Sequence, residues 1–406
     1  MSRAAAPATG VLFITPYYRP EIIGSGPFCA DLAEWLAAHA RPVTVLTTHP
    51  HYPLRDAFGG RRAARETIDG VAVERLGIWT PRKRSTAGRI ASEVLFLLAG
   101  LWALLRGRVA RARLVLSLCP SILGAALGIL ATRRDGHHVV IVHDIQSGLA
   151  TGLGMAGGTW LGRAIAWCER SILNRVDLIA VLSGEMRHRL RAIGVRTPIE
   201  VMPIWADTDA VFPLPEPEGE PAQVIYSGNL GRKQGLGQIV ELALELNQRR
   251  PDVQIVIRGN GGERDALARL VRAQSLTNVR FADLLPPAAL NEGLSRGRLY
   301  LVPQAPAAAD CAVPSKVFNI MAAGRSFVAT AAEGTSLWNL QQASEAFVCV
   351  PPNDTAAFVA AVLRLVDDTP LRRELGARAQ RFILRHHAKQ KVLGDFTRLL
   401  DDLQRG

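Results

Sequence analysis

From end to end, short runs of Val, Ile and Leu alternate with stretches patterned at helical spacing. Such alternation admits little besides parallel sheets joined by crossover helices. The runs predict strands at Val11–Tyr17, Pro42–Thr48, Val71–Ile78, Leu114–Leu118, His138–Asp144 and Asp177–Ser183, then a second series at Gln223–Ser227, Val253–Arg258, Val279–Phe281, Leu299–Pro303, Ser326–Thr330 and Phe347–Val350. Between the series, residues 203–223 hold five prolines, several acids and no basic residue, which is the composition of a linker. The expected architecture is therefore α/β, with two successive doubly wound sheets, a hinge at 203–223, and a cleft at the carboxyl ends of the strands where such folds take ligands. The stretch Phe382–Leu403 reads as helix.

With 406 residues, 48% of them hydrophobic and 21% charged, the chain can bury two cores. Gly 36 and Pro 24 stay far below low-complexity levels. The five cysteines, at 29, 119, 168, 311 and 349, form no C-x-x-C pair, so a zinc module or disulfide scaffold is not expected and core thiols in a reducing compartment are. No apolar leader with a cleavage site precedes Val11–Tyr17, so no signal peptide is expected. The longest uncharged apolar run, Val94–Leu105, has twelve residues, where a bilayer span needs about 20.

The net charge of +12 is unevenly placed, with +11 on residues 1–200 and +1 on 201–406. Residues 82–113 hold eight basic side chains (Arg82, Lys83, Arg84, Arg89, Arg106, Arg108, Arg111, Arg113) against Glu93 alone, on both sides of an apolar helix pattern. Phe96 and Trp102 with Arg106 and Arg108 suit an anionic membrane surface, where each basic residue contributes about 1 kcal/mol. A core helix with solvated flanks is the alternative reading. Nucleic acid is not an expected partner, because no recognition motif or aromatic-interleaved basic stripe accompanies the charge.

Several turns place glycine where a strand gives way to a helix, which lets backbone N–H groups approach an anion. The first strand leads through Gly24-Ser25-Gly26 into a helix from about Pro27; it lacks the third glycine of a dinucleotide fingerprint. The second series opens with Tyr226-Ser227-Gly228-Asn229-Leu230-Gly231-Arg232-Lys233-Gln234-Gly235, two cations in a glycine-rich turn suited to a diphosphate. It is not a P-loop. Lysine is scarce, at 83, 233, 316, 389 and 391 only, yet Lys233 and Lys316 both fall in loop-to-helix turns, the latter within Val313-Pro314-Ser315-Lys316-Val317-Phe318-Asn319. Arg258-Gly259-Asn260-Gly261 adds a third close-approach loop. In the first half, His143-Asp144 ends a strand, placed for a proton shuttle, for a sugar-hydroxyl ligand, or for a buried structural role. His49 and His51 lack a partner at metal spacing, and neither metal nor cofactor is expected. With no G-x-S-x-G, H-E-x-x-H or paired carboxylates, an enzyme of this sequence would rely on phosphate electrostatics and positioning.

These residues resemble the GT-B glycosyltransferases of family 4, and most closely the bacterial exopolysaccharide branch with the colanic-acid-type enzymes. The matching pieces are Tyr17-Tyr18-x-Pro20-Glu21 with Gly24 and Gly26, Thr47-Thr48-His49-Pro50-x-Tyr52-Pro53, Asp144 after a strand, Gly228-Asn229-Leu230-Gly231 with Lys233-Gln234-Gly235, and Pro314-Ser315-Lys316 with Ala323-Gly324-Arg325. The resemblance implies two Rossmann-like domains facing across a cleft: residues 1–204 for the acceptor, joined by a crossing helix at about 383–406, and 205–382 for a UDP- or GDP-sugar donor. It implies retention of configuration and a polyprenyl-diphosphate-linked saccharide acceptor, at the inner face of the plasma membrane. By the same analogy Arg232 and Lys233 neutralise the leaving diphosphate, with His143 and Asp144 beside the reaction. Ser315 and Lys316 lie near phosphates and ribose, Arg258, Gly259 and Gly261 line the nucleotide pocket, and Asp283 to Leu285 lie by the base. The family's Glu-x7-Glu pair is replaced by Cys311 and Asn319, which leaves Asp310 as the neighbouring carboxylate. Asn229 and Gln234 likewise stand where the glycine-rich turn carries Arg and Lys. A non-catalytic membrane-docked scaffold and a sugar-nucleotide epimerase are the competing functions.

Overall fold

The computed structural model describes residues 10–21, 24–50, 64–79, 86–119, 121–145, 160–216, 222–305 and 314–406. The chain forms two compact units, Met1–Met202 with Leu393–Gly406, and Pro203–Val392.

The first unit runs β1 (Val11–Ile14), α1 (Gly26–Ala38), β2 (Val43–Thr48), β3 (Ala64–Ile68), β4 (Val71–Leu76), α2 (Thr86–Leu105), β5 (Ala112–Cys119), α3 (Ile122–Ala131), β6 (Thr132–Val142), α4 (Trp160–Leu173), β7 (Leu178–Val181), α5 (Gly184–Ala192) and β8 (Ile199–Val201). Its sheet has the order β3-β4-β2-β1-β5-β6-β7-β8. Every neighbouring pair is parallel except β3–β4. Strands buried on both faces read as unbroken apolar runs, and all four residues of β1 are indeed buried. β1 ends at Ile14, short of the expected Tyr17, because Pro16 has no N–H to extend a ladder. The β3–β4 hairpin was not expected from the sequence. β3 is polar and mostly exposed, and its signal is the Asp69-Gly70 turn with both residues at positive φ. β8 was likewise unanticipated, at three residues too short to carry a pattern.

The second unit runs β9 (Gln223–Ser227), a 3₁₀ turn (Arg232–Gln234), α6 (Gly237–Arg249), β10 (Gln254–Arg258), α7 (Arg264–Ala273), β11 (Val279–Ala282), α8 (Leu290–Ser295), β12 (Leu299–Val302), α9 (Lys316–Ala322), β13 (Phe327–Thr330), α10 (Ser336–Ser344), β14 (Val348–Val350), α11 (Thr355–Asp367) and α12 (Thr369–His386). Six parallel strands take the order β11-β10-β9-β12-β13-β14. Val224, Ile255, Ile257, Leu299 and Leu301 are fully buried and join Leu242 and Leu246 of α6 in one core. In both sheets the winding reverses beside the first strand, at β1/β5 and at β9/β12. Loops leaving those strands lie where open α/β sheets take ligands.

Two expectations change at the linker and the C-terminus. Residues 204–216 are bound into the second unit: Arg372 Nη2 donates to Glu216 (3.1 Å), Arg325 donates to the Leu214 and Pro215 carbonyls, and Lys389 pairs with Asp207 (3.0 Å). This stretch is packed structure, whatever its proline content suggests. The expected C-terminal helix is two helices, α12 and α13 (Lys389–Arg405). They part where His387 Nδ1 pairs with the Ile204 carbonyl at 2.7 Å and Ala388 bridges Ala206.

The charged segment 82–113 is corrected in two places. Phe96 is 1% exposed and packs with Leu12, Leu46, Val115 and Leu127 in the core of the first unit, so it cannot be a membrane contact. Arg108 is an ion-pair partner of buried Glu74, which also accepts from Arg65 at 3.1 Å, and so is not a free surface cation. The outward face of α2 carries Ile90, Val94, Leu95, Leu98, Trp102 and Leu105, with Trp102 55% and Leu105 80% exposed. Arg106 lies over the Trp102 ring, 4.3 Å from its centroid. Among the described residues no helix is long and apolar enough to cross a membrane.

Candidate active site

In the second unit, the turns after β9 and β10 are pressed together backbone to backbone. Gly228 N donates to the Arg258 carbonyl and Leu230 N to the Asn260 carbonyl, both at 2.9 Å. A Cβ on Gly259 would stand 1.9 Å from the Gly228 carbonyl oxygen, and one on Gly261 2.3 Å from that of Leu230. Both glycines also hold positive φ, 148° and 156°. Any side chain at either position would force the turns apart. Gly231 caps the 3₁₀ turn, and the amides of Asn229 and Gly231 have no protein acceptor among the described residues.

The cation beside this cradle is Lys316, at the start of α9. Its Cδ and Nζ lie 3.5 and 3.9 Å from where a Gly228 Cβ would stand. Its ammonium nitrogen is shut off from solvent and has no hydrogen-bond partner among the described residues, although the residue as a whole is half-buried. It sits over the Tyr226 ring, 3.7 Å from the centroid. Burial alone pushes its pKa down to about 7. A buried unpaired ammonium costs stability, and proteins keep such groups where an anion completes them. Gln234 Oε1 and Gln304 Oε1 are likewise buried without partners among the described residues.

The other expected donor residues are placed less uniformly. Arg232 points outward, its side chain 89% exposed, with Glu263 3.5 Å away. Lys233 belongs to the 3₁₀ turn, and its side chain lies outside the described residues. Arg258 is buried and donates to the Gly293 carbonyl at 3.3 Å. Leu285 packs over Gly293, whereas Asp283 is exposed and pairs with Arg264 at 2.9 Å. Ser315 is exposed ahead of α9, and Asn319 is half-buried within it. Asp310 and Cys311 lie outside the described residues, as do Lys83 and His51.

In the first unit, Ser25, between Gly24 and Gly26, meets His143 just past the end of β6. Ser25 opens α1 with no side-chain capping bond, and its hydroxyl pairs instead with His143 Nδ1 at 3.2 Å. Phe28 meets the imidazole edge-on at 5.7 Å. Burial pushes His143 down to about 4, so the ring is neutral at physiological pH. Asp144 follows, half-buried. Sequence reasoning missed Tyr226, Gln304 and the Ser25–His143 pairing. Tyr226 alone had a signal, since a tyrosine inside an apolar strand needs a partner for its hydroxyl.

Residues 24–205 match the family model described as a glycosyl transferase 4-like domain. Residues 221–368 match that of glycosyl transferases group 1. The colanic acid biosynthesis glycosyl transferase WcaI of Escherichia coli is 30% identical over 366 residues, 85% of this chain and 89% of its own. The chain belongs to this glycosyltransferase family. Solved structures agree on the fold of this glycosyltransferase. Sucrose-phosphate synthase of Thermosynechococcus elongatus has a TM-score of 0.78 at 18% identity, covering 97% of this chain and 99% of that one. HepE of Anabaena, solved with UDP and glucose, has a TM-score of 0.70 at 13% identity, covering 97% and 99%. This glycosyltransferase has the GT-B fold, and both of its doubly wound units are accounted for.

Proposed function

We propose that this glycosyltransferase moves a sugar, with retention of configuration, from a UDP- or GDP-sugar to a polyprenyl-diphosphate-linked saccharide during exopolysaccharide assembly. The observation that carries the donor half is the buried ammonium of Lys316, without a partner among the described residues, beside the Gly228–Gly231 and Gly259–Gly261 turns. A diphosphate supplies the acceptor oxygens that both the ammonium and the free amides lack. HepE, a structural neighbour, has been solved with UDP-glucose. The relative WcaI is named for colanic acid biosynthesis, and this supports the exopolysaccharide setting.

In the proposed reaction an acceptor hydroxyl oxygen bonds to the anomeric carbon on the face from which the diphosphate leaves. The bond from that carbon to phosphate oxygen breaks, and the hydroxyl proton passes to the departing oxygen. No protein nucleophile is required. Lys316, with Lys233 of the glycine-rich turn, offsets the charge that builds on the diphosphate, where a preorganised group is worth about 2.7–4 kcal/mol; Arg232, which faces solvent, has no part in it. Neutral His143 serves as a hydrogen-bonding ligand for a sugar hydroxyl. Neither a metal nor a cofactor has a part in this scheme.

The same proposal places the enzyme at the inner face of the plasma membrane. The exposed apolar face of α2, with Trp102 and Arg106 at its end, supports that position. Incubating the purified enzyme with UDP- and GDP-sugars and a polyprenyl-diphosphate-linked saccharide tests the reading. Transfer with retained anomeric configuration is expected. Inversion, or epimerised donor without transfer, refutes it.

A further inference from the structure

We propose that Tyr226 is a positioning residue that builds the diphosphate cradle from two separate chain segments, its ring face carrying the Lys316 ammonium and its hydroxyl pinning the Asn229 carbonyl. The inference rests on the donor-binding reading above. Tyr226 ends the apolar run of β9, where Val224 and Ile225 show that an aliphatic side chain fits the strand. Its hydroxyl donates to the Asn229 carbonyl at 2.7 Å, which sets the direction of the peptide entering the glycine turn. Its ring lies 3.7 Å from Lys316 Nζ. That nitrogen has no acceptor and no carboxylate beside it among the described residues, and burial lowers its pKa. The ring's negative face is therefore the group that offsets the loss of water around the ammonium before a donor arrives. One side chain thus fixes both the cation and the amides that receive the diphosphate.

Replacing Tyr226 by Phe, and by mono-, di- and trifluorinated phenylalanine, tests this without altering size. Fluorine drains the ring face stepwise while the shape stays almost constant. The readout is calorimetric Kd for UDP and for uridine, which lacks phosphate, at pH 6.5. Tyr226→Phe is expected to weaken UDP about threefold to tenfold through loss of the Asn229 pin. The fluorinated series should weaken it by up to about a further 30-fold relative to Tyr226→Phe, the ~2 kcal/mol of a desolvated cation–π contact at 1.36 kcal/mol per decade. Uridine affinity should stay level throughout, and Lys316→Met should abolish the fluorine dependence. UDP affinity that ignores fluorination, or uridine affinity that falls in parallel with it, overturns the proposal. If the wild-type protein binds neither UDP nor GDP, the donor reading itself falls; if it binds UDP and the series is flat, only the role of Tyr226 falls.

Discussion

Replacing Lys316 by Met should make the empty protein more stable, by an amount that depends on pH in a defined way. The lysine ammonium has no partner among the described residues, and burial moves its pKa from 10.5 to about 7. The folded form thus binds a proton less readily than the unfolded form. The cost of the buried charge is fully present below about pH 7 and fades as pH rises toward 10.5, where the unfolded lysine also loses its proton. At 1.36 kcal/mol per pH unit, the cost is about 5 kcal/mol at pH 6, about 3 at pH 8 and about 1 at pH 9.5. Methionine has similar length, fills the same space and keeps a favourable sulfur contact with the Tyr226 ring. Urea unfolding of both proteins at these three pH values measures the difference, because every other titrating group is common to the pair. The gap should shrink as pH rises. UDP at 100 times its wild-type Kd should narrow it by up to about 2.7 kcal/mol, the stabilisation that such a ligand adds to the protein that binds it, with less added to the more weakly binding variant. A gap that is flat in pH, or a variant less stable at pH 6, would refute the assignment of Lys316 as a buried charge held for an anion.

Other outcomes follow from the same contacts. Gly259→Ala should abolish UDP binding and lower the unfolding temperature, because its Cβ would stand 1.9 Å from the Gly228 carbonyl oxygen; Gly262→Ala, at an open position three residues on, should do neither. Phe96→Ala should cost about 3–5 kcal/mol of stability in urea yet leave affinity for phosphatidylglycerol vesicles unchanged, whereas Trp102→Ala should weaken vesicle sedimentation and barely move stability. Since His143 titrates near pH 4, the ratio of wild-type to His143→Ala transfer rates should be constant from pH 5.5 to 9. A limb between pH 6 and 7 that only the wild type shows would mean the imidazole ionises during turnover.

The two sheets were legible because parallel strands are buried on both faces and so read as unbroken apolar runs. β3 was invisible for the converse reason: its residues face water. Its hairpin needed the Asp69-Gly70 signal. The glycine turns were legible through spacing alone, since a backbone that must approach another backbone excludes every other residue. Spacing did not tell which cation serves the site. Arg232 and Lys316 look alike as entries in a loop, yet one guanidinium faces solvent and the other side chain's ammonium is enclosed. Arg108 and Arg106 differ in the same manner, one paired with Glu74 and the other over Trp102.

The amino-acid order by itself determined two successive doubly wound sheets, the turns able to cradle an anion and the cationic flanks of an apolar helix. All three arise from local periodicity and from steric rules that act over a few residues. Tertiary packing decided which face of α2 is core, so that Phe96 is inside and Trp102 outside. It also decided that the proline-rich linker is bound by Arg325 and Arg372, and that Lys316 meets the Tyr226 ring. Those outcomes depend on charge, burial and contact between segments far apart in the chain, and no local pattern encodes them.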